Sequence, residues 1–193
     1  MEQFYLQKVD QSRKQEIIEY IKECYKYKSR LNGIGRLQDY ILEEGTQTLE
    51  EESQMFDKWF EKIKNEENAP LHKTCFLLIR KNDNKIIGMS NIRIQQDLGD
   101  YSFGHVGYGI RPTERGNGYG NIQFYLDLLI LQANNIKTCI MACNKDNEIS
   151  RKIIYHEFEG KLDKIIDDEE FYLIDVATAL ESKKEKFYKN VSN

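Results

Sequence analysis

The chain of 193 residues carries two prolines, one tryptophan, three histidines and four cysteines, and each scarcity closes off a class of protein. The cysteines, Cys24, Cys75, Cys139 and Cys143, include no C-x-x-C pair and the histidines do not cluster, so no metal-site grammar is present. Cys139 and Cys143 stand four apart in a strand-like segment, which puts both on one face as buried thiols. No apolar run is long enough to span a bilayer, and the opening "MEQFYLQKVD" lacks a basic-then-apolar leader, so a cytoplasmic protein with no membrane partner is expected. Nor is there a basic stripe: the formal net charge is −4, which argues against nucleic acid as the partner and suits an amine-bearing substrate.

What is present is an alternation of elements without repeats or a low-complexity linker, in a length that fits one domain over 1–193. A strand is expected at 4–9, then a helix opened by a capping box of Ser12 and Gln15, with Ile17, Ile18, Ile21, Cys24 and Tyr25 on one face. Gly33 and Gly35 break that pattern, and a short helix is expected at 36–43. Thr48 and Glu51 cap a third helix whose Phe56, Trp59, Phe60 and Ile63 read as core. "TCFLLIR" and "KIIGMSNIRI" are strands joined by the turn "KNDN". "GHVGYGI" is a further strand, unusual for its glycines. A helix from about Gly118 to Asn134, a strand "KTCIMAC", a helix from about Asn147 to Glu157, strands near 160–166 and 170–176, and a fraying helix after Ala179 complete the chain.

The most informative stretch is "IRPTERGNGYGNIQF", residues 110–124. Pro112 ends the preceding strand because it has no amide hydrogen to donate. Arg115, Gly116, Asn117, Gly118, Tyr119 and Gly120 then form the entrance to a helix buried through Ile122, Leu126, Leu129 and Ile130. Glycines there permit unusual backbone angles and let an anion approach the unpaired amides of the first helical turn. This predicts an anion cradle. It is not a P-loop, since no Lys-Ser or Lys-Thr follows, and G-x-G-x-G without a later acid is not the dinucleotide fingerprint. Arg115-Gly-Asn-Gly118-Tyr-Gly120 after Ile110-Arg-Pro112 instead satisfies [RQ]-x-x-G-x-[GA] at every position.

On that pattern the sequence resembles the GNAT family of acyl-CoA N-acyltransferases. Two further stretches carry the resemblance. "NKDNEISRKIIYHEFEG" is similar to the family's second signature, with Asn147 three residues before Ser150; "GHVGYGIRP" resembles E-x-G-Y-x-[IV]-x-P, with His105 in place of the glutamate. The span 74–162 is similar to a bacterial subgroup of predicted acetyltransferases. The resemblance implies an α/β fold of the α+β type. Its mixed, mostly antiparallel twisted sheet of about seven strands would be flanked by helices, with 103–110 splayed from 137–143. It also implies a cofactor-binding core at about 74–176 and a helical substrate-side region at 12–66.

The resemblance further implies acetyl-CoA as co-substrate, with no metal. Pantetheine would pair with main-chain groups of Tyr108 and Ile110, the diphosphate would rest on Arg115 to Gly120, and Asn147 and Ser150 would approach from the next helix. The reaction would be attack of an amine on the thioester, with the Ile110 N–H stabilising the oxyanion. His105 stands either as the base, with its ordinary pKa of ~6.5, or as a packed strand histidine. Its distance of roughly 16 Å from Ile110 along an ideal strand favours action through water. The family's acid is a tyrosine four residues after the serine; here that position is Ile154, and the acid is either Tyr155, rotated by ~100° on a regular helix, or water or another group such as Tyr108. His156 and His72 read as surface or packing residues. The acceptor stays open between a small-molecule amine and a protein or peptide amine, a non-catalytic acyl-CoA-binding protein remains an alternative, and a homodimer is an allowed assembly.

Overall fold

The computed structural model describes residues 2–34, 37–41, 46–68, 72–95 and 104–191. Among the described residues, seven strands form two antiparallel sheets. The first has the order β1 (Phe4–Lys8), β2 (Lys73–Arg80), β3 (Lys85–Arg93), β4 (Val106–Ile110); the second has the order β5 (Thr138–Asn144), β7 (Glu169–Asp175), β6 (Lys161–Ile166). The sheet expected from the sequence is therefore present in all its strands but split between β4 and β5.

Alternation along β2 explains the layering. Cys75, Leu77 and Ile79 pack on one side with α1 (Lys14–Lys26) and α2 (Leu49–Glu67), among Ile17, Ile21, Phe56 and Trp59. Leu78 joins the other core, built around α3 (Tyr119–Ala133) and α5 (Val176–Phe187), with Phe124, Leu128, Phe158 and Phe187. Each such side chain taken fully out of water contributes roughly 1.5–3 kcal/mol, which the chain spends on ordering these layers.

Local chemistry fixes most boundaries. Thr48 and Glu51 form the reciprocal capping box at α2. The first helix departs from expectation: Asp10, not Ser12, is the cap, accepting from the Ser12 amide at 2.7 Å to hold the 3-10 turn Gln11–Arg13 that runs into α1. A carboxylate is the stronger acceptor, and the Ser12 hydroxyl itself donates to it. Of the helix expected at 36–43, a 3-10 turn at Leu37–Asp39 is seen, and positions 35, 36 and 42–45 lie outside the described residues. The tail does not fray: Asp175 caps α5 through the Thr178 amide, Phe187 is buried, and Val191 bridges to Phe4. The second sheet's outer strand, β6, carries a bulge between Leu162 and Lys164, which disturbs its regular edge. Among the described residues no helix is long and apolar enough to cross a membrane, and no group of three or more His, Cys, Asp or Glu could hold a metal.

Candidate functional site

The two sheets are joined at one residue. The His105 amide donates to Ile140 O at 2.7 Å, and the Ile140 amide donates back to His105 Nδ1 at 2.9 Å. An imidazole nitrogen thus takes the place of the next backbone carbonyl, and regular pairing of β4 with β5 stops there. Nε2 lies 3.2 Å from Gln95 O; with Nδ1 accepting, the proton sits on Nε2 and is donated to that carbonyl. Burial, opposed by these hydrogen bonds and aided by nearby Arg93, holds the ring below its ordinary pKa. His105 is 1% exposed and does not line the cleft. Of the two readings left open by the sequence, this geometry fits the packed strand histidine: the ring is the rivet at the closed end of a V.

The V opens into a cleft of about 860 Å3. The Arg111 amide donates to Ile87 O at 2.8 Å, so Arg111 and, two back, Gly109 turn their main-chain groups toward β3. By alternation Tyr108 and Ile110 direct theirs into the open side, as an added strand would need, and both line the cleft. Arg115 folds back across the end of β4, its Nε donating to Ile110 O at 2.9 Å and its Nη2 to Ser29 Oγ at 2.5 Å.

Beyond Pro112, a 3-10 turn (Pro112–Glu114) leads to Gly116 and Gly118, both with φ near +80° (+83° and +78°) and with open space where a Cβ would stand. Gly118 begins α3 without a side-chain cap, whereas Thr48, Asn147 and Asp175 cap α2, α4 (Glu148–Lys152) and α5. The first turn of α3 therefore enters the wall of the cleft with no side-chain cap, and the Asn121 amide donates to Gly118 O at 3.1 Å. Arg115, Gly116, Gly118, Tyr119 and Gly120 line it; Asn117 does not, and its side chain donates to Glu114 O. The Tyr119 hydroxyl points away, to Glu2 at 2.6 Å. Burial works against the charge on Glu114, but Lys85 and Arg80 outweigh it, keeping the carboxylate ionised beneath the loop.

Asn147 and Ser150 reach the cleft from the other wall, and their three-residue spacing has a local cause: Asn147 Oδ1 accepts from the Ser150 amide at 3.2 Å as the cap of α4. After Lys152 the helix widens into a π turn at Ile153–Glu157, closed by Phe158 N–H to Ile153 O. This distortion does not present Tyr155, which is 57% exposed and rests edge-on against His156. Ile154 is sealed in the core against Gly160, and Ile153 and His156 face the cleft instead. Tyr155 is therefore not brought to the cleft, whereas His156, read from the sequence as a surface or packing residue, lines it.

The near wall was missed in the sequence. Tyr27, Lys28, Ser29, Arg30 and Asn32, just after α1, line the cleft. The segment crosses directly over β4: a Cβ on Gly109 would sit 2.7 Å from Asn32 O, and one on Gly33 2.2 Å from Met89 O. That close approach explains Gly109 of "GHVGYGI", whereas Gly104 answers to β5, where a Cβ would sit 2.7 Å from Ile140 O. Glu23 locks the same wall to the cradle, accepting from Arg111 Nε at 2.7 Å, Thr113 N at 3.0 Å and Thr113 Oγ1 at 2.8 Å. Its burial raises the pKa, but the Thr113 and Arg111 bonds prevail and leave it low.

A family model described as the acetyltransferase (GNAT) domain matches residues 28–156, more than half of the chain. Among solved structures, a nucleotide-linked sugar GNAT in its apo form, FdhC, superposes with a TM-score of 0.68 at 13% identity, over 98% of this chain and 96% of that one. A spermidine N-acetyltransferase chimera built from the Vibrio cholerae enzyme gives 0.60 at 14% identity, over 92% and 98%. A putative acetyltransferase from Salmonella typhimurium, solved with acetyl-CoA, gives 0.55 at 10% identity, over 90% and 94%. At these identities the likeness is one of fold. A search of curated proteins finds no match.

Proposed function

Because the chain belongs to the GNAT acetyltransferase domain family, we propose that it transfers the acetyl group of acetyl-CoA to a primary amine of a small molecule, by direct attack in a ternary complex. The observation that carries this reading is the uncapped start of α3 behind Gly116 and Gly118, set at the mouth of the gap between β4 and β5. A diphosphate fits there because first-turn amides and the helix dipole favour an anion, by ~0.3–1 kcal/mol from the dipole alone. Arg115 stands beside the same cradle. Main-chain groups of Tyr108 hold the pantetheine arm like an added strand, the Ile110 carbonyl being taken by Arg115 Nε, and Asn147 and Ser150 complete the far wall.

For the chemistry, acetyl-CoA supplies an activated thioester, and this chain's residues orient it. The Ile110 N–H, directed into the gap, is the donor for the carbonyl oxygen as charge builds there. His105 and Tyr155 have no part in this reading, since neither faces the cleft. The amine enters along the wall of Tyr27 to Asn32, above Gly109, so one domain supplies the donor site from its core and the acceptor site from the segment after α1. Structures of this fold are named for a nucleotide-linked sugar, for spermidine and for ribosomal-protein-S5 alanine, so both small and protein amines are represented among them.

The test is calorimetric titration with acetyl-CoA followed by thiol release across amino sugars, polyamines and peptides. Saturable binding with turnover on a small amine is expected. Binding without turnover on any amine, or turnover on peptides alone, overturns the proposal.

A further inference from the structure

The departing sulfur needs a proton, and the tyrosine position four residues after Ser150 is filled by Ile154, which the π turn buries. Among the described residues lining the cleft, hydroxyl donors are few. Tyr119 is committed to Glu2, Ser29 is engaged with Arg115 and the Arg30 carbonyl, and Tyr27 stands exposed at the rim. Tyr108 differs from all of these. Its hydroxyl is buried and has no hydrogen-bond partner, with the Ser150 side chain beside it but not completing a bond.

The fold holds this phenol deliberately. Tyr108 faces Ser90 across the β3–β4 ladder and extends over α3, its ring stacked on Phe124 at 5.7 Å between centroids. Gly120 lies beneath the ring, a Cβ there standing in ordinary contact with it at 3.8 Å. Cys143 on β5 and Asp127 on α3 are neighbours of the hydroxyl, both held uncharged at neutral pH by their burial. The phenol thus reaches from the first sheet toward the second, under the cleft. A buried donor without a completed bond is a cost that an acceptor arriving with the substrate removes.

The geometry points to Tyr108 as a catalytic residue that gives its Oη proton to the leaving thiol sulfur. This rests on the transferase reading above. As the C–N bond forms and the C–S bond breaks, its electron pair goes to sulfur, and sulfur takes the phenolic proton. The phenolate is restored by the proton that the acylated nitrogen sheds, passed through the adjacent Ser150 hydroxyl. No other reactant is needed. Burial raises the phenol above its ordinary pKa and so keeps it protonated between turnovers, while the thiolate, formed in the same dry setting, is a correspondingly stronger base.

Tyr108→Phe tests this cleanly because it keeps the stacked ring and deletes only the unpartnered hydroxyl. The expected result is a kcat lowered about 100-fold, an acetyl-CoA dissociation constant by calorimetry within twofold of the parent, and a melting temperature equal or higher. Unchanged kcat, or a loss confined to acetyl-CoA affinity, overturns the assignment, as does a 100-fold loss in His156→Gln with none in Tyr108→Phe. A parent protein that binds acetyl-CoA yet acetylates no amine defeats the transferase reading itself, and the role of Tyr108 with it.

Discussion

Single residues here act through what their backbone or ring excludes. Gly118 sits at φ +78° with open space around a notional Cβ, so a methyl meets no neighbour and suffers only the left-handed backbone. Gly118→Ala is expected to lower stability by about 1–2 kcal/mol and, by shifting the cradle amides, to weaken acetyl-CoA at least tenfold; both are read from thermal melts with and without ligand. His105 makes a contrasting case. Its ring accepts from Ile140 and donates toward Gln95, and protonation removes the first of these bonds. Because the folded pKa lies below the unfolded value of ~6.5, the unfolded chain binds more protons between the two. The contribution of His105 is thus whole above pH 6.5 and is lost as pH falls through the folded pKa. His105→Ala should cost about 1–3 kcal/mol at pH 7.5 and flatten the acid side of the melting profile, while the variant's kcat at 20 °C stays near the parent's. A kcat collapse with an unmoved melting temperature would restore His105 as the base.

Elements carry the coupling between the two walls of the cleft. Glu23 ends α1 and holds Arg111 and Thr113, and Arg111 also donates to Ile86 O, so the acceptor-side helix and the phosphate loop are pinned together. Glu23→Ala is expected to raise the acetyl-CoA dissociation constant roughly tenfold, about 1.4 kcal/mol, although Glu23 is not a cleft-lining residue; equal affinity by calorimetry would limit the pin to stability. This coupling also explains what the sequence disclosed. The loop 115–120, the Thr48 box and the strand runs were legible because each is a local pattern of caps, glycines and alternation. The reach of Glu23 to Thr113 and of Ser29 to Arg115 was not, because such pairs are distant in sequence and leave no period. His105 stayed open between base and packed residue for a related reason: its type suits catalysis, and only the arrival of Ile140 shows the ring to be a ladder partner. The π turn that turns Tyr155 outward is equally silent, since no residue from Ile153 to Glu157 marks a five-residue hydrogen bond.

At the scale of the whole molecule, α3 is the spine between the two sheets, and it carries polar groups into a dry core. Gln123 and Asp127 are both fully buried, over Gly88 and Ser90; neither side-chain atom of Gln123 has a partner, and Asp127 has one bond, from Ser90 Oγ at 2.7 Å. Burial pushes the Asp127 carboxyl up to about 8, with the Ser90 bond opposing it in part. Since the unfolded value lies near 3.9, the folded chain holds a proton that the unfolded chain has released throughout that interval. Stability from this group is therefore fully present below about pH 4, declines by up to about 1.4 kcal/mol per pH unit as pH rises, and levels off above about pH 8. Asp127→Asn keeps an acceptor for Ser90 and cannot ionise. Urea midpoints taken at pH 5, 6, 7 and 8 should fall steadily in the parent and stay nearly level in Asp127→Asn, with the variant the more stable of the two at pH 8. Parallel slopes in the two proteins would mean that water reaches the carboxylate and that the space between α3 and β3 is wet.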